Sequence, residues 1–153
     1  MHHSRGIPLS FLLSNHKSNY MNINNIPKIV DSISTLANWS KTTFIRTYYK
    51  LKPHLIQKKV EKLFQHQNVD AIYVTSETDN PTMNHLHLAI AGRKMSRSQI
   101  ASALGVKKEA VGNIESIRGK KQTIQYISKQ LIRQNRYIDA YHDLFIKPKN
   151  MNT

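Results

Sequence analysis

Cysteine is absent from this chain of 153 residues, and acidic residues are scarce. The lack of cysteine excludes disulfide bonds and thiolate metal sites, and it favours an intracellular protein. No apolar run approaches the roughly 20 residues that a helix needs to cross a bilayer, and the short apolar segment 7–13 is a poor signal peptide. We therefore expect a single globular domain with polar ends and no membrane partner.

The shortage of acids leaves the protein strongly basic. Lysine and arginine number 23 against 9 aspartates and glutamates, which gives a formal net charge of +14. Such an excess favours a polyanionic partner, usually nucleic acid. An anionic membrane is the alternative, but the sequence has no continuous basic amphipathic helix with aromatic anchors. Residues 67–91 contain acids but no lysine or arginine, and they lie between two basic segments. This arrangement suits a cation site next to a basic surface that binds the phosphates of a nucleic acid.

Hydrophobic spacing predicts alternating strands and helices after an N-terminal extension, residues 1–40, which carries one short helix. The main domain is expected over 41–146, followed by a polar tail at 147–153. The predicted order in the domain is β-α-β-β-α-β-α, an α+β fold with a small antiparallel sheet and helices packed on it. Segment 137–146 forms a last element of unassigned type. The predicted strands are 42–49, 69–77, 84–90 and 111–117, and the predicted helices are 26–39, 53–67, 98–104 and 120–134.

Two histidines lie two residues apart in the third predicted strand. Side chains at this spacing point to the same face, so His85 and His87 stand about 6–7 Å apart at Cα. They can chelate one divalent ion, although a purely structural pair of histidines is an equally simple interpretation. Glu77 ends the preceding strand and comes close to His85 if the two strands form a hairpin. The pattern predicts a site for Mg²⁺ or Mn²⁺ with two histidines and one carboxylate, Asp79 competing with Glu77 as third ligand.

A candidate nucleophile lies in the helix predicted over 120–134. Tyr126 has Lys129 at i+3 and Gln130 at i+4, so the three residues share one side of the helix. A tyrosine hydroxyl that loses its proton can attack phosphorus and form a covalent intermediate. A neighbouring lysine can offset the charge that develops on the phosphate. Taken alone, a Tyr-x-x-Lys pattern is more often a packing tyrosine beside a surface lysine.

Taken together, these motifs resemble those of the HUH endonuclease superfamily. Within it, the chain resembles the rolling-circle replication initiators of small single-stranded DNA viruses, phages and plasmids. The resemblance rests on Glu77, on the His-Leu-His sequence at 85–87 and on the Tyr-Ile-Ser-Lys sequence at 126–129. It covers residues 41–134 and is weak at the first family motif, a strand near the start of the domain.

The resemblance implies a role for each of these residues. Glu77, His85 and His87 bind the divalent metal ion, Tyr126 is the nucleophile and Lys129 positions the phosphate. The product is a 5′-phosphotyrosine link and a free 3′-hydroxyl, and the reverse reaction rejoins the strand. The implied partners are a single-stranded DNA origin, a host polymerase and a separate helicase, since the sequence has no Gly-x-x-x-x-Gly-Lys phosphate loop. The implied location is the cytoplasm of a bacterial host, or the nucleus for a eukaryotic virus.

Two alternative functions fit parts of the sequence. Residues 98–106, followed by Val111 and Ile114, have the spacing of a helix-turn-helix, so a basic DNA-binding regulator is the non-enzymatic alternative. It requires 111–117 to be helical, and it does not require the glutamate strand to pair with the histidine strand. Single-tyrosine transposases of the same superfamily are the enzymatic alternative, because Tyr126 and Gln130 also fit their pattern.

Several basic and aromatic residues are candidates for DNA contacts. Arg46 and Tyr48, in the first predicted strand of the domain, can pair with or stack on single-stranded DNA, although a structural role for Tyr48 is as plausible. Three basic residues precede the tyrosine helix and are predicted to contact phosphates without reading sequence. They are Arg118, Lys120 and Lys121.

Overall fold

In a computed structural model, the described residues (7–8, 26–47, 52–77, 85–129 and 141–148) form one antiparallel sheet with helices on both faces. The strand order is β1-β6-β3-β4-β2-β5, and β1 and β5 have only two residues each. The strands are β1 Ile7–Pro8, β2 Lys41–Arg46, β3 Val69–Glu77, β4 His85–Gly92, β5 Glu115–Ser116 and β6 His142–Ile146. The helices are α1 Ile26–Leu36, α2 Pro53–Phe64, α3 Arg97–Leu104 and α4 Lys120–Ile127, with a 3₁₀ turn at Lys108–Ala110.

The predicted α+β class and the antiparallel sheet are confirmed. The order β2-α2-β3-β4-α3-β5-α4 agrees with the prediction, and the unassigned segment 137–146 contains β6, which pairs with β3. The strand predicted over 111–117 is wrong in extent, because only β5 and an isolated bridge between Val111 and Ile45 pair with the sheet. The side chains from Asn113 to Ser116 are mostly exposed and polar, so little apolar surface holds this segment against the sheet.

Alternation along β4 places its side chains in two different layers. Leu86, Leu88 and Ile90 are buried in the core formed with α2 and α3. Ala89 and Ala91 belong to a second core that also includes α1 and α4. The histidine strand is therefore central in the sheet, and its histidine face is the one that α1 and α4 cover.

The helix predicted in the N-terminal extension packs on this second face. Ile29, Val30 and Ile33 of α1 are buried there together with Ile124 of α4. Trp39 is also buried, and its indole Nε1–H donates a hydrogen bond to the Ile33 carbonyl at 2.8 Å. This bond supplies a donor to a carbonyl near the end of α1.

No helix in the described ranges is long and apolar enough to span a bilayer.

Gly92, at the end of β4, has a backbone conformation that only glycine adopts readily. Its φ is +142°, and a Cβ at this position would overlap the Asn68 carbonyl oxygen. We expect Gly92→Ala to lower the free energy of unfolding by about 2–4 kcal/mol through strain and steric overlap. Gly105→Ala is the matched control, because Gly105 has φ +72° but no atom closer to the added Cβ than Lys59 Nζ at 3.8 Å. That control should lose only about 1–2 kcal/mol in urea unfolding, and equal losses would contradict the steric argument.

Candidate active site

The two histidines of β4 lie beside the end of β3. The antiparallel register pairs His85 with Glu77 and His87 with Thr75. Pairing of the glutamate strand with the histidine strand is thus confirmed. Both histidines are half-buried, whereas Leu86 between them is fully buried in the opposite layer. The two imidazoles therefore start from the same face, as the alternation predicts.

Only part of the predicted metal-ligand set can be located. The side chains of His85 and His87 are described, whereas Asp79 and the side chain of Glu77 lie outside the described part of the chain. Within that part, no group of three or more His, Cys, Asp or Glu residues is arranged to hold a metal ion. The divalent metal site stays a prediction that rests on two imidazoles and on the register position of Glu77.

Two buried hydrogen bonds fix the end of α4 to β3 on the histidine face. Thr75 Oγ1 donates to the Ile127 carbonyl at 2.7 Å, and the hydroxyl oxygens of Tyr73 and Ser128 are 2.7 Å apart. Burial raises the pKa of the Tyr73 hydroxyl, outweighing the opposite effect of its bond to Ser128, so this phenol stays protonated. Since Thr75 pairs with His87, these bonds position α4 next to the histidines.

The tyrosine motif contacts the histidine motif directly. The rings of Tyr126 and His87 meet edge to face, with centroids 6.3 Å apart and an interplanar angle of 84°. Tyr126 is 59% exposed, so much of this residue is accessible to a ligand from solvent. The structure thus brings together two of the residues that the sequence assigned to one reaction.

Two cations lie at this end of the sheet. Lys129 Nζ is 4.4 Å from the centroid of the Tyr126 ring, a cation–π distance, as their spacing on one helix side predicted. Arg46 pairs with His85 across β2 and β4, and its guanidinium carbon is 6.0 Å from the centroid of the Phe44 ring. Lys129 is therefore close enough to Tyr126 to attract a phosphate to it, and Arg46 occupies the strand position opposite His85.

An open cleft of about 440 Å³ runs from Tyr126 and His87 between β2 and α4. Its wall on the β5 side comes from the irregular segment that precedes this short strand. Four lining residues were not singled out from the sequence, because an isolated aromatic or polar residue carries no motif. They are Phe44, Asn113, Glu115 and Gln122.

The other predicted DNA contacts are not brought together with the tyrosine. Arg118, Lys120 and Lys121 are exposed at the opposite end of α4, and Lys121 Nζ lies 3.8 Å from the Asp31 carboxylate. Tyr126 follows Lys120 by six positions in α4, which is about 9 Å along the helix axis. Tyr48 and Gln130 lie outside the described residues.

The segment required as the second helix of a helix-turn-helix is not helical. After α3, a 3₁₀ turn covers Lys108–Ala110, Val111 forms a bridge with Ile45, and Glu115–Ser116 is β5. Residues 111–117 therefore present no recognition helix, and the regulator hypothesis loses the element on which it depended.

The bond from Thr75 to α4 should contribute measurably to stability. Carbonyls in the last turn of a helix lack an intrahelical partner, and Thr75 supplies one to Ile127. We expect Thr75→Val to lower the free energy of unfolding by about 1–2 kcal/mol, because a buried carbonyl loses its donor. Thr42→Val is the control. The Thr42 hydroxyl donates to the Leu88 carbonyl at 2.9 Å, and Leu88 lies in β4, which is paired with β2 on one side and with β3 on the other. Urea unfolding should show a smaller loss for Thr42→Val, and the reverse order would contradict this role of Thr75.

Comparisons with known proteins give little support for any assignment. No protein-family model matches the sequence, and no curated protein is significantly similar to it. Among solved structures, the crystal structure of the hypothetical protein ORF119 from Sulfolobus islandicus rod-shaped virus 1 is similar, with a TM-score of 0.45 and 17% identity. The match covers 67% of this chain and 90% of that chain. At this level of similarity, the likeness carries no argument about function.

Proposed function

We propose that the protein is a metal-dependent endonuclease of the HUH type, which nicks single-stranded DNA and rejoins it through Tyr126. The observation that carries the proposal is the contact between Tyr126 and His87. These residues are distant in sequence and belong to separate motifs, and a packing tyrosine would not need to be 59% exposed beside a histidine pair. The net charge of +14 supports a nucleic-acid substrate.

A divalent ion fits the residues that are available. His85 and His87 would bind it with their imidazoles, and Glu77, directly opposite His85, would provide the carboxylate. This donor set leaves positions for water and for a phosphate oxygen, as Mg²⁺ and Mn²⁺ sites do. The bound ion would supply Lewis-acid polarisation of the phosphodiester.

Residues of this chain carry out the transfer of the DNA phosphate from the 3′ oxygen to Tyr126. The Tyr126 hydroxyl loses its proton to solvent and its oxygen attacks phosphorus, forming the Tyr–O–P bond as the P–O3′ bond breaks. The 3′ oxygen takes up a proton and leaves as a free hydroxyl. Lys129, over the tyrosine ring, offsets charge on the phosphate. One phosphoester bond replaces another, so the same step in reverse rejoins the strand.

The biological role that follows from the family resemblance is initiation of rolling-circle replication at a single-stranded origin of a virus, phage or plasmid. A helicase and a host polymerase then act as separate partners, in the cytoplasm of a bacterial host or in a eukaryotic nucleus. Single-tyrosine transposition uses the same chemistry and stays the alternative. Cutting of a circular origin, rather than of transposon ends, distinguishes the two.

Cleavage of circular single-stranded DNA tests the proposal. Circles that carry a randomised segment are incubated with the native protein and Mn²⁺, with an EDTA sample as control. We expect linear DNA whose 5′ end is blocked by protein, in an adduct stable to boiling in detergent, and neither product with EDTA. Tight, salt-sensitive binding to duplex DNA without any cleavage would reject the endonuclease in favour of a DNA-binding protein.

A further inference from the structure

The cleft beside Tyr126 is unusual for so basic a protein. Among its described lining residues it has one carboxylate, Glu115, and no lysine or arginine. Lys129, over the Tyr126 ring, and Arg46, over the Phe44 ring, are not part of this lining. The lining thus offers a phosphate no lysine or arginine and suits an uncharged part of a nucleic acid, whereas Lys129, over the tyrosine ring, can attract the phosphate.

Phe44 gives this cleft an aromatic wall. It pairs with His87 across β2 and β4, and it is 37% exposed. Its ring lies against the backbone of Gly112, so closely that a Cβ at Gly112 would overlap it. The ring is thus supported from the Gly112 side and has the Arg46 guanidinium 6.0 Å from its centroid, while part of it stays open to solvent. Supported, accessible aromatic rings are the surfaces on which unstacked bases stack.

Polar side chains surround the same space. Asn113, Glu115 and Gln122 line the cleft, and all three are exposed. Asparagine and glutamine match the donor and acceptor edge of adenine, and a glutamate accepts a hydrogen bond from the cytosine amino group. The cleft therefore combines a stacking surface with groups that can distinguish one base edge from another.

We propose that this cleft, here called the base cleft, binds one unstacked nucleobase of the single-stranded substrate next to the phosphate that Tyr126 attacks. Phe44 is the stacking surface, and Glu115 and Gln122 select the base. The inference rests on the proposed function and deepens it, since it places base selectivity at the nicking site itself. Sugar–phosphate geometry keeps a base close to its own phosphate, so filling the base cleft also positions the bond to be cut.

Binding of single-stranded DNA without metal tests the base cleft. Fluorescein-labelled 12-mers of dT, dA and dC are titrated with the protein in EDTA, and affinities are read by anisotropy. We expect Phe44→Ala to weaken binding of the preferred 12-mer about 5- to 100-fold, as expected for loss of one base–aromatic stack. Leu55→Ala is the matched control, because Leu55 is 39% exposed on α2, over the opposite face of the sheet.

Two further variants separate stacking from a structural role of Phe44. Phe44→Trp keeps an aromatic face and should bind like the native protein. Phe44→Leu keeps an apolar side chain against Gly112 but has no aromatic face, so it should bind as weakly as Phe44→Ala at an unchanged urea midpoint. Glu115→Gln should change the ratio of dC to dT affinity more than threefold. Binding of all three 12-mers within twofold of native by both Phe44→Ala and Phe44→Leu would overturn the proposal.

The outcome is separable from that of the nicking experiment. If no tyrosine adduct forms but Phe44→Ala weakens binding, the base cleft stands as a binding site and the endonuclease proposal fails. If the adduct forms and Phe44→Ala binds normally, the base cleft fails alone.

Discussion

Tyr126→Phe is expected to abolish the covalent adduct with single-stranded DNA and to reduce cleavage at least about 10³-fold, because no oxygen is left to attack phosphorus. The phenylalanine ring keeps the edge contact with His87 and the cation–π contact with Lys129, so the site stays assembled. Single-stranded DNA should therefore bind to the variant with nearly native affinity. Adducts are measured on denaturing gels with labelled circles, and binding by anisotropy.

Tyr141→Phe is the matched control for this experiment. Tyr141 is only 9% exposed, belongs to the core on the opposite face, and donates its hydroxyl hydrogen to the Asp143 carboxylate. Burial, reinforced by the Asp143 charge, raises the pKa of Tyr141 far above that of an ordinary tyrosine, which makes it a poor nucleophile. The variant should lose stability yet form the adduct. Native adduct yield from Tyr126→Phe would contradict the assignment of the nucleophile.

Replacing either histidine with alanine is expected to reduce Mn²⁺-dependent cleavage at least about 10²-fold. Even the loss of a residue that only hydrogen-bonds to a metal ligand lowers metal affinity or activity about 10- to 100-fold. His87→Ala also removes the ring contact with Tyr126, whereas His85→Ala leaves that contact in place. A similar loss in both variants therefore points to a shared ion. Activity is measured over a Mn²⁺ titration, in which both variants should need higher concentrations.

His54→Ala provides the histidine control, since His54 is exposed on α2, away from the histidine face. A readout independent of activity is the NMR spectrum of the imidazoles, in which Mn²⁺ should broaden the His85 and His87 signals before that of His54. Native activity of both site variants at every Mn²⁺ concentration would contradict metal binding by these residues.

Local periodicity was sufficient to predict the faces of the main elements. The alternation from His85 to Ile90 determined which side chains of β4 share a layer, and the i to i+3 spacing placed Lys129 beside Tyr126. Both relations depend on residues that are close in sequence. Pairing of Glu77 with His85 was also predictable, because a hairpin constrains its own register.

Relations between distant elements were not predictable from the sequence. Thr75 and Tyr73 look like ordinary strand residues, and only the packing of α4 on β3 gives them their bonds to Ile127 and Ser128. Phe44 lies in the first predicted strand of the domain, but its partial exposure beside the cleft depends on how α4 and the segment before β5 pack next to β2. Lys120 was predicted to contact a phosphate, and the helical rise places it at the end of α4 away from Tyr126.

The most direct test of the central claim is to locate the DNA on the protein. After nicking, the adduct is digested with nuclease and trypsin, and the peptide that retains nucleotide is sequenced by mass spectrometry. We predict that it is peptide 122–129, with the nucleotide on Tyr126, the single tyrosine of this peptide. Nucleotide attached to another residue, such as Tyr48 or Tyr137, would contradict the mechanism even if cleavage itself were metal-dependent.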